Sequence, residues 1–266
     1  DSEKMNFGKD SYATMRYYID HDFGTAANPT PKDITVINWM NTWDYCTRVG
    51  ETVGQEFNGT YNLTLNLGLT KNEEGKYILT QTPIQQYEAL RDTAKKTEFK
   101  DVNVTESNDL LKDFKGSSYE IVSTFRPGAD TKKVGFKLRT GKKEETLVTY
   151  DLEKELLSID RSRSGIIIPG SFAQVDSQSV KRNADGSIDL HIYVDRASVE
   201  VFAKKYTVAG AEQIFPSVNS LGASVFAEGG AAKADIALYP MNSIWTDRIE
   251  VTKPIEMGTS SPAENN

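Results

Sequence analysis

Two carboxylates in the segment YVDRASVEVF, Asp195 and Glu200, form the best local pair for acid–base chemistry in this sequence. A retaining glycosidase uses two carboxyl groups about 5–5.5 Å apart, and a hairpin that carries both could hold them at that separation. The valines around the pair also predict the core of a β-hairpin, in which the two acids would form ion pairs with Arg161 or Arg196. We favour this structural interpretation over a catalytic one.

Other sets of catalytic residues are absent from the sequence. The single cysteine, Cys46, excludes both an internal disulfide and a cysteine-based zinc site. The two histidines, His21 and His191, lie far apart, and the sequence has no Ser-His-Asp set and no glycine-rich phosphate loop. We therefore expect neither a metal site nor a cofactor.

The charge balance argues against two classes of partner. With 31 Lys and Arg against 38 Asp and Glu, the net charge is −7, and the basic residues form no block. A chain of this kind is a poor match for nucleic acid or for an anionic membrane surface. The longest aliphatic run, at residues 166–168, is far shorter than the roughly 20 residues of a membrane-spanning helix. We expect no nucleic-acid partner and no membrane partner.

Aromatic residues are the more informative feature. Trp39, Trp43 and Tyr45 cluster in the segment INWMNTWDY, and Tyr12 lies in the strand-like segment before it. An aromatic ring can stack against the C–H face of a sugar while a polar neighbour such as Asp10 binds its hydroxyl groups. Packing in a protein core explains such a cluster about equally well, so both interpretations stay open.

The elements that would position these residues are mostly β-strands. Four segments before residue 92 have β-branched or aromatic character or alternate between polar and apolar residues: 12–19, 34–40, 62–69 and 76–81. Helical spacing is confined to 84–92 and 107–114. Seven further predicted strands are 118–126, 133–140, 145–151, 155–161, 188–195, 198–203 and 234–239. Seven short strands within about 150 residues predict a β-sandwich.

A charged segment without apolar periodicity, residues 91–100, marks the predicted domain boundary. We assign residues 1–97 to a first β domain and residues 98–252 to the sandwich. Residues 253–266, rich in Pro, Ser, Glu and Asn, are assigned to a C-terminal tail.

Five segments of the chain occur in a recognisable order. Residues 7–13 read FGKDSYA, and residues 37–45 read INWMNTWDY. The others are residues 62–69 with 79–91, then 159–165 (IDRSRSG), and 190–216, which contain IYVDRASVEVF and IFPS. Together they resemble the β-fructosidases of glycoside hydrolase family 32, the invertases, exo-inulinases and levanases, over roughly residues 6–240. In that family the first two strands read "GkDfYA" and "igWm-nW-Y".

This resemblance implies a five-bladed β-propeller followed by a β-sandwich, so this all-β chain would hold the last blades and the sandwich. It also implies retaining hydrolysis of terminal β-D-fructofuranosides, with a fructose-containing oligo- or polysaccharide such as sucrose, inulin or levan as the partner. Asp10, Tyr12 and Trp43 would line the fructosyl subsite, with Tyr12 near the catalytic acid and Trp43 as an apolar wall. The alternatives are a fructan-binding sandwich without catalysis and a purely structural sandwich. For the sandwich itself we favour the structural role.

The three carboxylate motifs of that family are missing from this chain. The nucleophile motif is Trp-Met-Asn-Asp-Pro-Asn-Gly, whereas residues 39–43 read WMNTW. The Arg-Asp-Pro motif is not matched by residues 91–93 (RDT), nor the Glu-Cys motif of the acid/base by residues 45–46 (YC). About 92 residues precede the predicted boundary, enough for about two propeller blades. The chain is therefore expected to hold no catalytic residue and to be the C-terminal part of a larger enzyme.

The rest of that enzyme is the expected second partner. The N-terminal propeller portion would carry both catalytic carboxylates and bind this chain non-covalently or continue into it. An export signal for an extracellular or periplasmic location would also lie on that portion.

The chain alone should release no fructose from sucrose, inulin or levan. Loss of both catalytic carboxylates removes most of an enhancement of many orders of magnitude. The measurement is fructose release by the purified 266-residue chain, free of contaminating invertase. Release above the buffer control would contradict the expectation and return attention to Asp195 and Glu200.

Overall fold

The computed structural model describes residues 4–16 and 34–244. These residues form sixteen β-strands, β1 to β16, in three antiparallel sheets, together with one α-helix. The predicted all-β class is confirmed. The end of the first predicted strand, residues 17–19, lies outside the described residues, as do His21 and the predicted tail at 253–266.

The N-terminal part of the chain forms the first sheet, with the strand order β1-β2-β4-β5 and with β3 paired to β2. Its strands are β1 (Tyr12–Arg16), β2 (Ile34–Met40), β3 (Thr60–Tyr61), β4 (Leu65–Lys71) and β5 (Tyr77–Pro83). The turn between β4 and β5 forms as its glycine predicts, since Gly75 has a left-handed φ of 75°. The Asn72 side chain completes this turn by accepting hydrogen bonds from the backbone N–H groups of Glu74 and Lys76.

Helix α1 (Cys46–Val53), which follows β2, is not predicted by the sequence analysis. Cys46, Val49 and Val53 have the spacing of one helix face, but eight residues are fewer than the window over which such spacing is read, and no side chain caps the N-terminus. Burial of Val49 fixes the helix, and Gly54 ends it with a left-handed φ of 73°.

The two segments with helical spacing form no α-helix. Residues 84–92 contain a 3-10 helix at Gln85–Leu90, which a second one at Thr93–Lys95 follows, and residues 107–114 form turns. Tyr87 accounts for part of the misleading spacing, because it packs against the sandwich and not along a helix. The two 3-10 helices link the first sheet to the sandwich. The domain boundary at residue 97 stays a prediction.

The later strands form a β-sandwich of two sheets, as predicted. The five-stranded sheet has the order β11-β10-β9-β8-β15, and the six-stranded sheet the order β14-β13-β12-β7-β16-β6. The strands of the five-stranded sheet are β8 (Lys133–Thr140), β9 (Glu145–Asp151), β10 (Leu156–Arg163), β11 (Val175–Ser179) and β15 (Gly222–Glu228). Those of the six-stranded sheet are β6 (Thr97–Val104), β7 (Tyr119–Pro127), β12 (Ile188–Asp195), β13 (Ser198–Ala203), β14 (Val208–Gln213) and β16 (Ala232–Pro240). All seven predicted sandwich strands are present.

The main core lies between these two sheets. On β12, Ile188, Leu190, Ile192 and Val194 alternate with residues of the opposite face, and all four belong to the core. Each fully buried side chain of this size contributes about 1.5–3 kcal/mol. The alternation that predicts the strands is therefore also what holds the two sheets together.

The first sheet packs against the outer face of the six-stranded sheet. Val36 and Leu65 contact Tyr193, Phe202 and Ala209 in a second, smaller apolar cluster. The six-stranded sheet is thus covered on its inner face by the other sandwich sheet and on part of its outer face by the first sheet.

The segment before β1 runs along β14, the edge strand of the six-stranded sheet. The Phe7 N–H donates to the Ala209 carbonyl at 2.9 Å, and the Asp10 N–H donates to the Ala211 carbonyl at 3.2 Å. Gly8 lies so close that a Cβ there would be 2.1 Å from the Ala211 carbonyl oxygen, so only glycine fits. This segment covers an otherwise open sheet edge and joins the first sheet to the sandwich.

Glu200 corrects the expectation that the acids of YVDRASVEVF pair with Arg161 or Arg196. Its carboxylate is buried beneath the first sheet, accepts a hydrogen bond from the Leu63 N–H at 2.8 Å, and has no basic partner among the described residues. Burial raises the pKa of Glu200 to about 7. Asp195 is exposed, so the two acids do not share an open site.

Replacing Glu200 by Gln should change how stability depends on pH. The pKa of Glu200 in the folded chain, about 7, lies above its ordinary value of 4.5, so the folded state binds this proton more tightly than the unfolded state. The resulting stabilisation is complete below the ordinary pKa and is lost as the pH rises through the folded value, by about 3 kcal/mol in all. The Glu200→Gln amide does not titrate. Its free energy of unfolding, measured with urea, should therefore fall less between pH 4.5 and 7 than that of the unmodified chain.

The matched control is Glu106→Gln, since Glu106 is exposed. Its pH profile should follow that of the unmodified chain. Identical profiles for all three proteins would contradict a buried, unpaired carboxyl group at Glu200.

Candidate functional site

Tyr12, Trp39 and Trp43 form an exposed aromatic cluster on the first sheet. Tyr12 pairs with Trp39 across β1 and β2, and their ring centroids are 6.5 Å apart. The Trp43 ring lies 6.2 Å from that of Tyr12 and 5.5 Å from that of Trp39, and all three contacts are edge-to-face. Trp43 is 68% exposed and Tyr12 is 50% exposed. The structure thus brings these two predicted site residues together at the surface, where their rings can stack against a ligand.

The turn between β2 and α1 presents Trp43. Asn41 is buried at the start of this turn, and its side chain accepts a hydrogen bond from the Thr42 N–H at 2.9 Å. The indole N–H of Trp39 donates to the Asn58 carbonyl at 3.3 Å, which fixes that ring to the loop before β3. The cluster therefore rests on an ordered backbone.

Asp10 does not open to solvent beside these rings, although the sequence analysis places it in the same subsite. Its side chain is fully buried. The carboxylate accepts hydrogen bonds from the Tyr45 hydroxyl and the Arg161 guanidinium, both at 2.5 Å, and from the Gln213 N–H at 2.8 Å. All these partners belong to the chain itself. The structure gives Asp10 a supporting role, and its contact with a sugar stays a prediction that this burial does not support.

Arg161 supplies one buried positive charge for two buried carboxylates. Besides Asp10 it contacts Glu212, with 2.9 Å between Nη2 and the nearer carboxylate oxygen, and its guanidinium lies 4.0 Å from the centroid of the Phe172 ring. Burial raises the pKa of Glu212 well above its ordinary value; Arg161 opposes this shift and the Asp10 charge adds to it. Burial also raises the pKa of Tyr45, as does Asp10, so its hydroxyl remains a donor. Two ionised carboxylates would exceed the single positive charge of Arg161. We therefore expect the Glu212 carboxyl group to be protonated.

The buried network ties the aromatic cluster to the sandwich. This network consists of Asp10, Tyr45, Arg161 and Glu212. Tyr12 follows the first of these residues by two positions, and Trp43 precedes the second by two. Because Arg161 lies on β10 and Glu212 on β14, sandwich strands anchor both segments that carry the cluster.

The role of Arg161 is the main feature that the sequence analysis misses. The predicted strand at residues 155–161 and an ion pair of Arg161 are both present, but the partners of Arg161 are Asp10 and Glu212 and not the acids of YVDRASVEVF. The position of Arg161 in the strand could have indicated its burial. Leu157 and Ile159 are buried at alternate positions of β10, and Arg161 continues the same face. A buried arginine requires acidic partners, but the sequence cannot say that they lie 151 and 51 residues away.

Charged groups near the cluster are paired. Asp44 accepts hydrogen bonds from Lys9 at 2.8 Å and from Ser171 at 3.0 Å, and the bond from Lys9 lowers the pKa of Asp44. Within residues 4–16 and 34–244, no three His, Cys, Asp or Glu side chains are grouped so that they could hold a metal ion. In the same part of the chain, no helix has the length and apolar character to cross a membrane.

Replacing Arg161 by Met should destabilise the chain strongly. The variant leaves the carboxylates of Asp10 and Glu212 buried without a cation, which costs about 3–5 kcal/mol. Urea unfolding measures the loss. Arg126→Met is the matched control, because Arg126 forms an exposed ion pair with Asp235 at 2.9 Å and its loss should cost at most about 1 kcal/mol. Equal losses in the two variants would contradict the central role of Arg161.

Comparison with known proteins connects this geometry to a family. Residues 86–240 match the family model described as glycosyl hydrolases family 32 C terminal. The chain is 61% identical over 261 residues to a fructan beta-fructosidase of Streptococcus mutans and 28% identical over 245 residues to a levanase of Bacillus subtilis. These alignments cover 98% and 90% of this chain but 18% and 34% of those proteins.

Solved structures share the fold. The exo-inulinase of Aspergillus awamori matches with a TM-score of 0.77 at 25% identity, over 91% of this chain and 45% of that chain. The sucrose-6-phosphate hydrolase of Lactobacillus gasseri matches with a TM-score of 0.68 at 19% identity, over 91% and 43%, which is a likeness of fold alone. The chain spans less than half the length of each of these four proteins. Since the family model covers more than half of its 266 residues, the chain belongs to glycosyl hydrolase family 32, with the C-terminal domain of that family at residues 86–240.

Proposed function

We propose that the chain is the C-terminal part of a retaining β-fructosidase that releases terminal fructose from fructans or sucrose. One observation carries this proposal: a chain 61% identical to a fructan beta-fructosidase holds an exposed cluster of three aromatic rings in the segments that resemble the substrate-binding strands. The nucleophile and the acid/base are assigned to an N-terminal portion outside this chain. By the family mechanism, an Asp there attacks the anomeric carbon while a Glu protonates the leaving oxygen, and water then hydrolyses the covalent fructosyl-enzyme.

Within this mechanism the chain supplies binding and positioning. Tyr12 and Trp43 offer exposed rings to the C–H faces of the sugar, and Trp39 supports both rings by edge contacts. Asp10 and Arg161 act as positioning residues, because they touch the protein and not the solvent. Contacts of this kind place the scissile bond against the catalytic groups. They raise the reaction rate only if the aromatic cluster is held in a fixed position.

We assign the first sheet to the propeller, as one of its blades. A blade is a four-stranded antiparallel sheet, and the order β1-β2-β4-β5 has that form. Met15, Tyr61 and Leu69 are exposed on this sheet, and apolar surface of this kind favours cover by the neighbouring blades of the N-terminal portion. The sandwich then begins near residue 98.

A structural role of the sandwich at the aromatic cluster is supported by Arg161. This residue belongs to the sandwich, yet its charge holds the segment that leads into the aromatic cluster. The sandwich therefore stabilises the proposed site without contributing a surface to it. An extracellular location is also proposed, because the curated relative from Aspergillus awamori, 28% identical over 91% of this chain, is named an extracellular exo-inulinase.

In the longer enzyme, Trp43→Ala should lower kcat/KM for fructan hydrolysis. Loss of the exposed ring removes about 1–2 kcal/mol of binding, a fall of about 5- to 30-fold. Tyr77→Ala is the matched control, because Tyr77 on β5 is equally exposed, at 68%, and lies outside the cluster. Fructose release from inulin, levan and sucrose is the measurement. Equal activity of both variants would contradict the subsite, and no release by the unmodified enzyme would overturn the proposed function.

A further inference from the structure

A groove of about 540 Å³ lies on the outer face of the six-stranded sheet, and nothing in the proposed function uses it. Val122 on β7, 39% exposed, lies in it, although most residues at the middle of this sheet are covered. His191 on β12 and Phe202 on β13 line it next to Val122, and Tyr206 closes one side. The volume is in the range of small-ligand sites, which are mainly apolar with a few polar groups.

The aromatic side of the groove is held rigidly. His191 shares a hydrogen bond with the Tyr206 hydroxyl at 3.0 Å through Nδ1, and with Glu120 at 2.5 Å through Nε2. Arg91 binds the same carboxylate through two nitrogens, at 2.6 and 2.7 Å. Burial alone would raise the pKa of Glu120, but the bonds from Arg91 and His191 lower it to about 2, so the carboxylate stays charged. The rings therefore need no rearrangement to receive a ligand.

The turn that carries Tyr206 has an unusual backbone. Lys204, Lys205 and Tyr206 have left-handed φ values of 49°, 52° and 66°, which residues other than glycine rarely adopt. The Lys205 N–H donates to Asp189 at 2.9 Å, and this bond helps to hold the turn against the groove. A strained turn kept in place by the surrounding structure is typical of ligand sites.

Polar groups surround the apolar part of the groove. Asn183 and Asp185 belong to the turn that connects β11 and β12 of different sheets, in which Gly186 has a left-handed φ of 80°. Asp185 accepts hydrogen bonds from the N–H and hydroxyl of Ser187 through Oδ1, and Oδ2 has no hydrogen-bond partner among the described residues. Carboxylate and amide groups beside an aromatic wall can bind hydroxyl groups of a sugar whose C–H face contacts the ring.

We propose that this groove is a second carbohydrate site, which binds an internal segment of a neutral polyhydroxylated chain without cleaving it. Asp185 and Asp189 outnumber Lys205 at the groove, which disfavours an anionic ligand, and the polar surround disfavours a lipid. The identification of this polysaccharide as a fructan rests on the proposed function. A polymer held here stays near the enzyme while its end enters the catalytic site, which raises the local concentration of substrate.

Affinity electrophoresis of the 266-residue chain in gels that contain levan or inulin tests the proposal, with dextran as the comparison polymer. Val122→Arg fills the groove from an exposed position, and Tyr206→Ala removes its aromatic side. Both should weaken retardation by the fructan about 10-fold. Val175→Arg, at a 55% exposed position of β11 on the other sheet, is the control and should not. Trp43→Ala distinguishes glycan binding at the aromatic cluster from binding in the groove, because it removes an exposed ring of the cluster and leaves the groove intact.

The outcomes separate the groove from the proposed function. Retardation that Val122→Arg weakens and Val175→Arg retains supports the groove, whereas no retardation, or equal retardation of these two variants, overturns it. Stronger retardation by dextran overturns the assignment to fructan. In the longer enzyme, Val122→Arg should leave sucrose hydrolysis unchanged. An enzyme that releases no fructose while the chain still binds glycan in the groove would refute the proposed function alone.

Discussion

The buried ion pair between Arg161 and Asp10 is the constraint on which the site depends. Removing both charges from water costs several kcal/mol per ion, and only good geometry with additional hydrogen bonds offsets that cost. Tyr45 and the Gln213 N–H supply these bonds to Asp10, and the Phe172 ring covers the guanidinium. A sliding of the first sheet by one residue would break the whole set. The pair therefore selects one placement of the sheet on the sandwich more than it adds stability.

The two faces of the six-stranded sheet have three different environments. Its inner face is apolar and packs on the five-stranded sheet, as alternation on β12 requires. Its outer face is mixed, with one part under the first sheet, where Glu200 is buried, and another part open as the groove. Between these parts, Glu120 binds Arg91 and His191. The outer face thus has ion pairs and hydrogen bonds between its charged groups in place of a continuous apolar core. One part of it can therefore pack against the first sheet while another part stays exposed.

Local pattern predicts much of this fold and little of the network. Strands such as β8 and β12 are predictable to the residue, because apolar residues at alternate positions form the face that packs in the core. Helix α1 is missed, since its apolar spacing covers only two turns, and so short a helix depends on tertiary burial to form. The aromatic cluster is found because Tyr12 and Trp43 stand in recognisable segments. The burial of Asp10 is not foreseen, because a carboxylate exposed in a site and one buried beneath it look alike in the sequence until the partner arginine is known.

The pairing of residues 7–10 with β14 has a consequence for how the chain is made. Lys9 and Glu212, whose backbone and side chain are joined by a hydrogen bond, are separated by 203 positions. At roughly 5–20 residues per second, a ribosome needs about 10–40 s to synthesise the intervening chain. Through that interval Gly8 and its neighbours lack β14, and the first sheet lacks the sandwich on which it rests. The docking of residues 7–10 on the sandwich therefore waits until β14 has been synthesised.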